Sequence, residues 1–288
     1  MIKEKQDQIL QQLNGFSAKL IAQLKNLTEE DWEIQSRCDD WTVKDVMAHL
    51  SSVVTNYLIF IDSAKNEENI LDDPNSSRDE PGTLDGKSLA GRLSERAKET
   101  SKNFDSKDAL INELELRFQR LLDGFNSCQD NQWNLPAYHP VNWVSIQGIL
   151  LWTLFESTIH AWDALNAVNE EYLVDTGLAP LLPEYFCNKL INRWFKTTDS
   201  TESPSQTLAV NFSTSNGLRI ASAIGELDIE EFPINSFDSD AEIHTSPSEF
   251  ALLITGRKSL SESIEDTSTQ LTGNQSHVDS FSRWFTGS

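Results

Sequence analysis

Five histidines are the natural place to look for chemistry in this 288-residue sequence. In the segment ILLWTLFESTIHAWDAL, Glu156 and His160 stand four residues apart, which places them on one face of a helix. A carboxylate oxygen and an imidazole nitrogen at that spacing can ligate one cation, and Asp163, three residues on, extends the same face. Spacing alone does not decide the matter. With 45 acidic residues in 288, such pairs arise by chance, and Asp45/His49 and Asp240/His244 repeat the interval. An ordinary helix-face hydrogen bond is the competing reading. The setting favours more than that, because an ionised carboxylate in so apolar a helix is costly unless paired or coordinated. His49 sits likewise among aliphatic neighbours in VMAHLSSVV. A lone histidine there is ordinarily a satisfied core residue. Two histidines and a glutamate on two apolar helices can instead share one divalent cation, and on these residues alone both readings stay open.

The elements that must position them follow from periodicity. Ile9, Leu10, Leu13, Phe16, Leu20, Ile21 and Leu24 recur at helical spacing over 4–26. A second helix starts at Thr42, where Asp45 can complete an acidic variant of the capping box, and runs to Phe60. The polar, Pro- and Gly-punctuated stretch 66–83 reads as an exposed loop. A third helical region covers 85–126 with a break near Asp105-Ser106, and a fourth runs from Asn142 to Val168. Four long helices in succession predict an antiparallel four-helix bundle, whose metal sites are built from inward-facing side chains. A further helix over 184–196 leads into TTDSTESPSQ, a linker in which the domain boundary is expected at 197–206. Beyond it, LAVNFS, LRIASA and AEIHTS alternate as strands do, and 248–254 and 278–285 return to helical spacing. The expected class is thus α followed by α+β. Residues 1–170 form the bundle, 171–202 a connecting helix and linker, and 203–288 a small α+β domain.

Composition narrows the partners. A formal charge of −22 with dispersed basic residues disfavours nucleic acid and anionic membranes, which require clustered Lys and Arg. The apolar run Ile146 to Phe155 is too short to span a bilayer, and the charged N-terminus shows no secretory signal, so a cytoplasmic location is expected. Cys38, Cys128 and Cys187 are scattered, with no CxxC spacing, and read as ordinary reduced thiols.

The segment LTEEDWEIQSRCDDWTVKDVMAHL (27–50) resembles the opening motif of the mycothiol-dependent maleylpyruvate isomerase family, part of the wider DinB-like metal-binding superfamily. FESTIHAWDAL (155–165) is similar to the same family's Glu-x-x-x-His-x-x-Asp segment. DAEIHTSPSEFALLITGRKSL (240–260) and LTGNQSHVDSFSRWF (271–285) resemble its small C-terminal domain, similar to sterol-carrier-type α+β folds. Carried over by position, the resemblance implies that His49, Glu156 and His160 are metal ligands. Three such ligands leave an open coordination position, as in catalytic rather than structural zinc sites. Zinc is the expected ion, although nickel, iron and manganese accept the same donors. The cofactor implied beside it is a low-molecular-weight thiol, because a divalent cation stabilises thiolate over thiol. Thiolate addition to a cis double bond would permit rotation, and elimination would then give the trans product. Asp45 and Asp163 are candidates for orienting the ligand histidines, with a simple capping role the competing reading for Asp45.

An acidic substrate would need cationic partners, for which Arg219 and Arg257 are candidates; ordinary surface arginine is the competing reading for each. His139 is expected in a loop at the mouth of the fourth helix, and His244 and His277 in solvent. Trp41, Trp143, Trp152 and Trp162 are expected in the core or at helix ends, and nothing selects which of them approaches the metal. The expected function is a metal- and thiol-dependent isomerase or transferase acting on a small organic acid or electrophile. The alternative is a non-catalytic module that binds a small molecule or lipid and holds a structural metal.

Overall fold

Apolar residues at three- and four-residue spacing fold Lys3–Lys25 into α1, burying Ile9, Leu13, Phe16, Leu20 and Leu24. The computed structural model describes residues 3–38, 40–72, 78–84, 86–187, 206–212, 216–223, 226–233, 239–273 and 281. It divides into two units, Met1–Leu178 and Ala179–Ser288.

In the first unit a short helix, α2 (Glu29–Glu33), starts at a capping box of Thr28 and Asp31. The next, α3 (Val43–Lys65), starts at a second such box: the Thr42 hydroxyl accepts from the Asp45 N–H, and the Asp45 carboxylate accepts from the Thr42 N–H. The helical region expected over 85–126 is divided into α4 (Gly86–Ser101) and α5 (Lys107–Asn126). The division falls where the Ser106 hydroxyl accepts from the Ala109 N–H and so starts a new helix. A short antiparallel pair, β1 (Pro136–Ala137) with β2 (Val144–Ser145), precedes α6 (Ile146–Val168). This helix therefore begins at Ile146 and not at Asn142, because Ser145 caps it by accepting from the Gly148 N–H. Gly148 lets the strand turn tightly into the helix, since a Cβ there would stand 3.0 Å from that of Val144. The central element is α3, which packs on α4, α5 and α6, while α1 packs on α5 and α6.

The second unit opens with a 3-10 turn, Ala179–Leu181, and α7 (Leu182–Cys187); the rest of the helix expected over 184–196 lies outside the described residues. So do the C-terminal helix expected over 278–285, apart from the buried Phe281, and all but the last residue of the expected boundary 197–206. A five-stranded sheet follows in the order β5 (Glu226–Pro233), β4 (Asn216–Ala223), β3 (Gln206–Phe212), β6 (Ala241–Thr245) and β7 (Gln270–Gly273). The β3–β6 pair is parallel, with Val210 opposite Ile243, and the remaining pairs are antiparallel. Among the described residues the unit also holds α8 (Pro247–Ile254) and α9 (Leu260–Glu265). Phe186 meets Phe250 edge-on at 4.9 Å between centroids. Glu249, nearly buried, accepts from Lys258 and from the Ser263 hydroxyl, and so is both paired and hydrogen-bonded.

Candidate metal centre

His49 lies seven residues beyond Thr42, two turns into α3, so the capping box fixes the helix start from which it projects. Glu156 and His160 come from α6. In the stretch 148–166 of that helix every residue is buried except Glu156, which keeps partial exposure. The Glu156 carboxylate brings the two helices together chemically. Its Oε2 lies 3.0 Å from His160 Nε2 and 3.7 Å from His49 Nε2. The two imidazoles stand edge to face with centroids 4.8 Å apart. One ligand atom from each of the three residues falls within 4.8 Å of the others, close enough to hold one metal ion.

The other nitrogen of His160, Nδ1, lies 3.0 Å from Oδ2 of the fully buried Asp163. A neutral imidazole offers one N–H and one lone pair. With carboxylates 3.0 Å from both nitrogens, a neutral His160 would set its lone pair against an anionic oxygen. The centre therefore calls for a further positive charge, either a second ring proton or a cation held by Nε2 and Glu156. In the metal-free protein the proton fills this role. Burial opposes charging His160, but its hydrogen bonds with Asp163 and Glu156 outweigh burial and raise its pKa to about 9. Burial likewise works against the Glu156 carboxylate, yet the two histidines hold it well below the usual range. His49 moves the other way, pushed down chiefly by burial and further by the charge on His160. Two imidazoles and a carboxylate, oriented from behind by another carboxylate, are a donor set suited to a divalent first-row cation.

The segment preceding α3 closes one side. The Arg37 N–H donates to the Asp163 carbonyl at 2.9 Å, and Arg37 Nε donates to Asn166 Oδ1 at 2.8 Å, tying this segment to the end of α6. Trp41 is thereby laid against the centre, its ring 4.8 Å from that of His49 and 6.0 Å from that of His160. Its Nε1–H donates to Ser94 Oγ on α4 at 2.9 Å. Of the four tryptophans named from the sequence, Trp41 is the one set against both histidines. Trp152 and Trp162 are buried, whereas Trp143 is 44% exposed, because it lies in the turn before α6 and not within the helix.

Asp45 Oδ2 accepts from both the Thr42 N–H (3.1 Å) and the Thr42 hydroxyl (3.0 Å), so its carboxylate is engaged at the helix start. His139 is buried and stacked 4.3 Å from Trp152 on α6. Its Nδ1 accepts from the Val141 N–H, so Nε2 carries the proton directed at the Tyr57 hydroxyl, 3.2 Å away. Arg219 and Arg257 belong to the second unit. Arg257 Nη1 donates to the Thr255 carbonyl at 3.2 Å, and the Arg219 backbone pairs with Ala209 and Glu230. His244 lies 3.0 Å from Glu242 on the same strand, and His277 is outside the described residues. Arg37 and Ser94 were not legible as site residues. Nothing in sequence links positions so far apart, although the pairing of Trp41 with Thr42 ahead of a capped helix marks where the chain must turn.

Among curated proteins there is no match. Among solved structures, the mycothiol-dependent maleylpyruvate isomerase superposes with a TM-score of 0.58 at 14% identity, over 88% of this chain and 90% of that one. A mutant of that isomerase gives 0.57 at 13% identity, over 92% of each chain. At such identity the likeness concerns the fold. The sequence also matches the family model described as "Mycothiol maleylpyruvate isomerase N-terminal domain" over residues 14–165, which include His49, Glu156 and His160. That match spans more than half of the chain, and the protein belongs to the mycothiol maleylpyruvate isomerase N-terminal domain family.

Proposed function

We propose that the protein is a metal-dependent isomerase, or a closely related thiol S-transferase, that uses a low-molecular-weight thiol on a small organic acid. His49, Glu156 and His160 hold the ion, zinc by preference, and Asp163 orients His160 from behind. We read the first unit as a DinB-like four-helix bundle, the second as a sterol-carrier-like α+β domain, and the location as cytoplasmic. When bound, the divalent cation supplies stabilisation of a thiolate over its thiol, which gives a strong nucleophile near neutral pH. The chain's own residues do the rest. Asp163 fixes which nitrogen of His160 faces the ion, Trp41 shields one side from water, and Glu156 marks the side on which ligands enter.

One observation carries this reading: among the described residues the donor set has three members, and its partial opening is at Glu156. A purely structural metal would call for a fourth protein ligand. Asp45, the acidic residue one turn before His49, is engaged by Thr42 instead. The family's description, which names mycothiol and maleylpyruvate isomerase, supports the isomerase reading, and cis–trans isomerisation by reversible thiol addition is the reaction we propose for it.

Cobalt substitution tests the reading directly. A thiol that enters the ion's shell should produce a charge-transfer band in the near ultraviolet, and the metal-loaded protein with mycothiol should convert maleylpyruvate to its trans isomer. A cobalt-loaded protein that shows no such band with millimolar thiol, and carries a tightly bound lipid, would favour the non-catalytic binding module.

A further inference from the structure

We infer that Asn166 is a positioning residue of the metal centre, the latch that holds Trp41 as a wall over one side of the ion; this rests on the metal-ligand reading above. Asn166 lies in the last turn of α6, three residues beyond Asp163 and six beyond His160, and is buried. Both ends of its amide are engaged. Its Oδ1 accepts from Arg37 Nε at 2.8 Å, while its Nδ2 donates to the carbonyls of Glu170 and Tyr172 at 3.1 and 2.9 Å. An amide suits this position because it offers an acceptor to one segment and two donors to another. An aspartate of the same shape would set an anionic oxygen against two carbonyls.

Through Arg37 the latch reaches the metal centre. The backbone N–H of Arg37 donates to the Asp163 carbonyl, one turn from His160. The chain then folds back on itself. The Ser36 N–H donates to the Trp41 carbonyl at 2.9 Å, the Trp41 N–H to the Cys38 carbonyl at 3.2 Å, and Gln35 bridges to Thr42. The Gln35 side-chain amide closes the turn by donating to the Trp41 and Cys38 carbonyls at 3.0 and 3.1 Å. Asp40, at φ 62°, takes the left-handed conformation that so tight a reversal needs and that aspartate tolerates. Trp41 is therefore fixed at its base by a turn that Arg37 ties to α6, and at Nε1 by Ser94. The pairing of Arg37 with Glu170 is at the surface, where an ion pair contributes little, so the buried amide carries the latch. With this wall closed, a ligand approaches the ion past the half-buried Glu156.

The test uses the full chain, metal-free and cobalt-loaded, as parent, Asn166→Ala, Arg37→Ala, the double variant and Glu170→Gln. Each is checked for metal content and thermal midpoint. Acrylamide quenching of Trp41 emission, taken as the difference from the same protein carrying Trp41→Phe, reports the wall. The visible spectrum of bound cobalt reports its coordination number, which a general loss of stability would not move. Both single variants should keep parental metal content and raise Trp41 quenching about twofold or more. Their cobalt absorptivity should fall by roughly half as water entering on the Trp41 side makes the ion five-coordinate. The double variant should do no more than the larger single one, because both substitutions cut the same tie. Parental quenching and spectrum in both single variants would overturn the assignment, as would effects that simply add. An equal opening in Glu170→Gln would place the latch on the surface ion pair and also overturn it. If Asn166→Ala does not fold, Arg37→Ala, altered at an exposed side chain, decides. A parent that takes up no cobalt would sink the metal reading, while quenching in the metal-free protein would still decide the latch.

Discussion

Asp163 places its Oδ2 3.0 Å from Nδ1 of His160 while being wholly withdrawn from solvent. That contact dictates which His160 nitrogen is available to an ion. The three-residue interval within α6 makes it a property of the helix itself, independent of any loop. Replacing Asp163 with Asn keeps the volume but removes the charge. Metal affinity should fall by about 10–100-fold, the usual effect of losing a carboxylate behind a ligand histidine. Competition with a chromophoric chelator measures this, and an unchanged affinity would remove Asp163 from the site.

The ligand set predicts one divalent cation per chain. His49→Ala and His160→Ala should each abolish stoichiometric binding, because two remaining donors hold a first-row ion poorly. Elemental analysis of protein purified without added metal gives the stoichiometry, and absorption-edge data identify zinc. Parental metal content in both variants would mean that the site lies elsewhere.

Acid should release the ion, with a sign that follows from His160. Its pKa of about 9 in the metal-free protein means that Nε2 carries a proton at neutral pH, which the metal must displace. Binding near pH 7.5 should therefore release about one proton, and affinity should weaken about tenfold for each pH unit below 9. His49, shifted downwards, adds a second proton only in more acidic solution. In the metal-free chain the raised pKa contributes stability that is fully present below the unfolded value. It is lost as pH rises through about 9. Calorimetry in buffers of different ionisation enthalpy counts the protons, and zero release would refute the protonated His160.

The acidic residue at the start of α3 should prove separable from the metal. Thr42→Ala should cost about 1 kcal/mol by removing the cap. Asp45→Asn should lower the thermal midpoint in the same direction without changing metal affinity. A loss of metal from Asp45→Asn would give Asp45 a place behind His49 after all.

Much of the site could be read from sequence because its parts obey helical arithmetic. Glu156, His160 and Asp163 are related by intervals of four and three, and their apolar surroundings separate them from solvated pairs such as Glu242 and His244. Helices α1, α3 and α6 announce themselves by long apolar periodicity, Thr42 marks the start of α3 by its capping chemistry, and the break near Asp105-Ser106 falls at the cap of α5. The remaining features depend on tertiary contacts. Arg78 lies in a segment whose composition reads as exposed loop, yet its contacts with Asn56 and Phe60 place it beside α3. Strand β5, ELDIEEFP, hides behind four acidic residues, and its pairing with β4 supplies the register that its own pattern leaves weak. The sequence places Trp143 in the core or at a helix end, but the cap at Ser145 starts α6 after it and leaves the ring at the surface.

Trp41 offers a way to watch the centre without assaying the reaction. It lies close to both candidate ligand rings and is held there by its bond to Ser94. Cobalt quenches nearby indoles much more than zinc does, and the effect decays steeply with distance. Exchanging zinc for cobalt should therefore dim the parent's tryptophan emission, with Trp41 the largest contributor. In Trp41→Phe the cobalt-dependent quenching should fall by roughly half or more while metal content stays parental, since the ring ligates nothing. Ser94→Ala should give a smaller loss, because it frees the ring to rotate but leaves its packing against His49. The eight tryptophans are a background that the zinc form subtracts. Quenching of equal depth in the parent and Trp41→Phe would show that Trp41 does not wall the metal centre in solution.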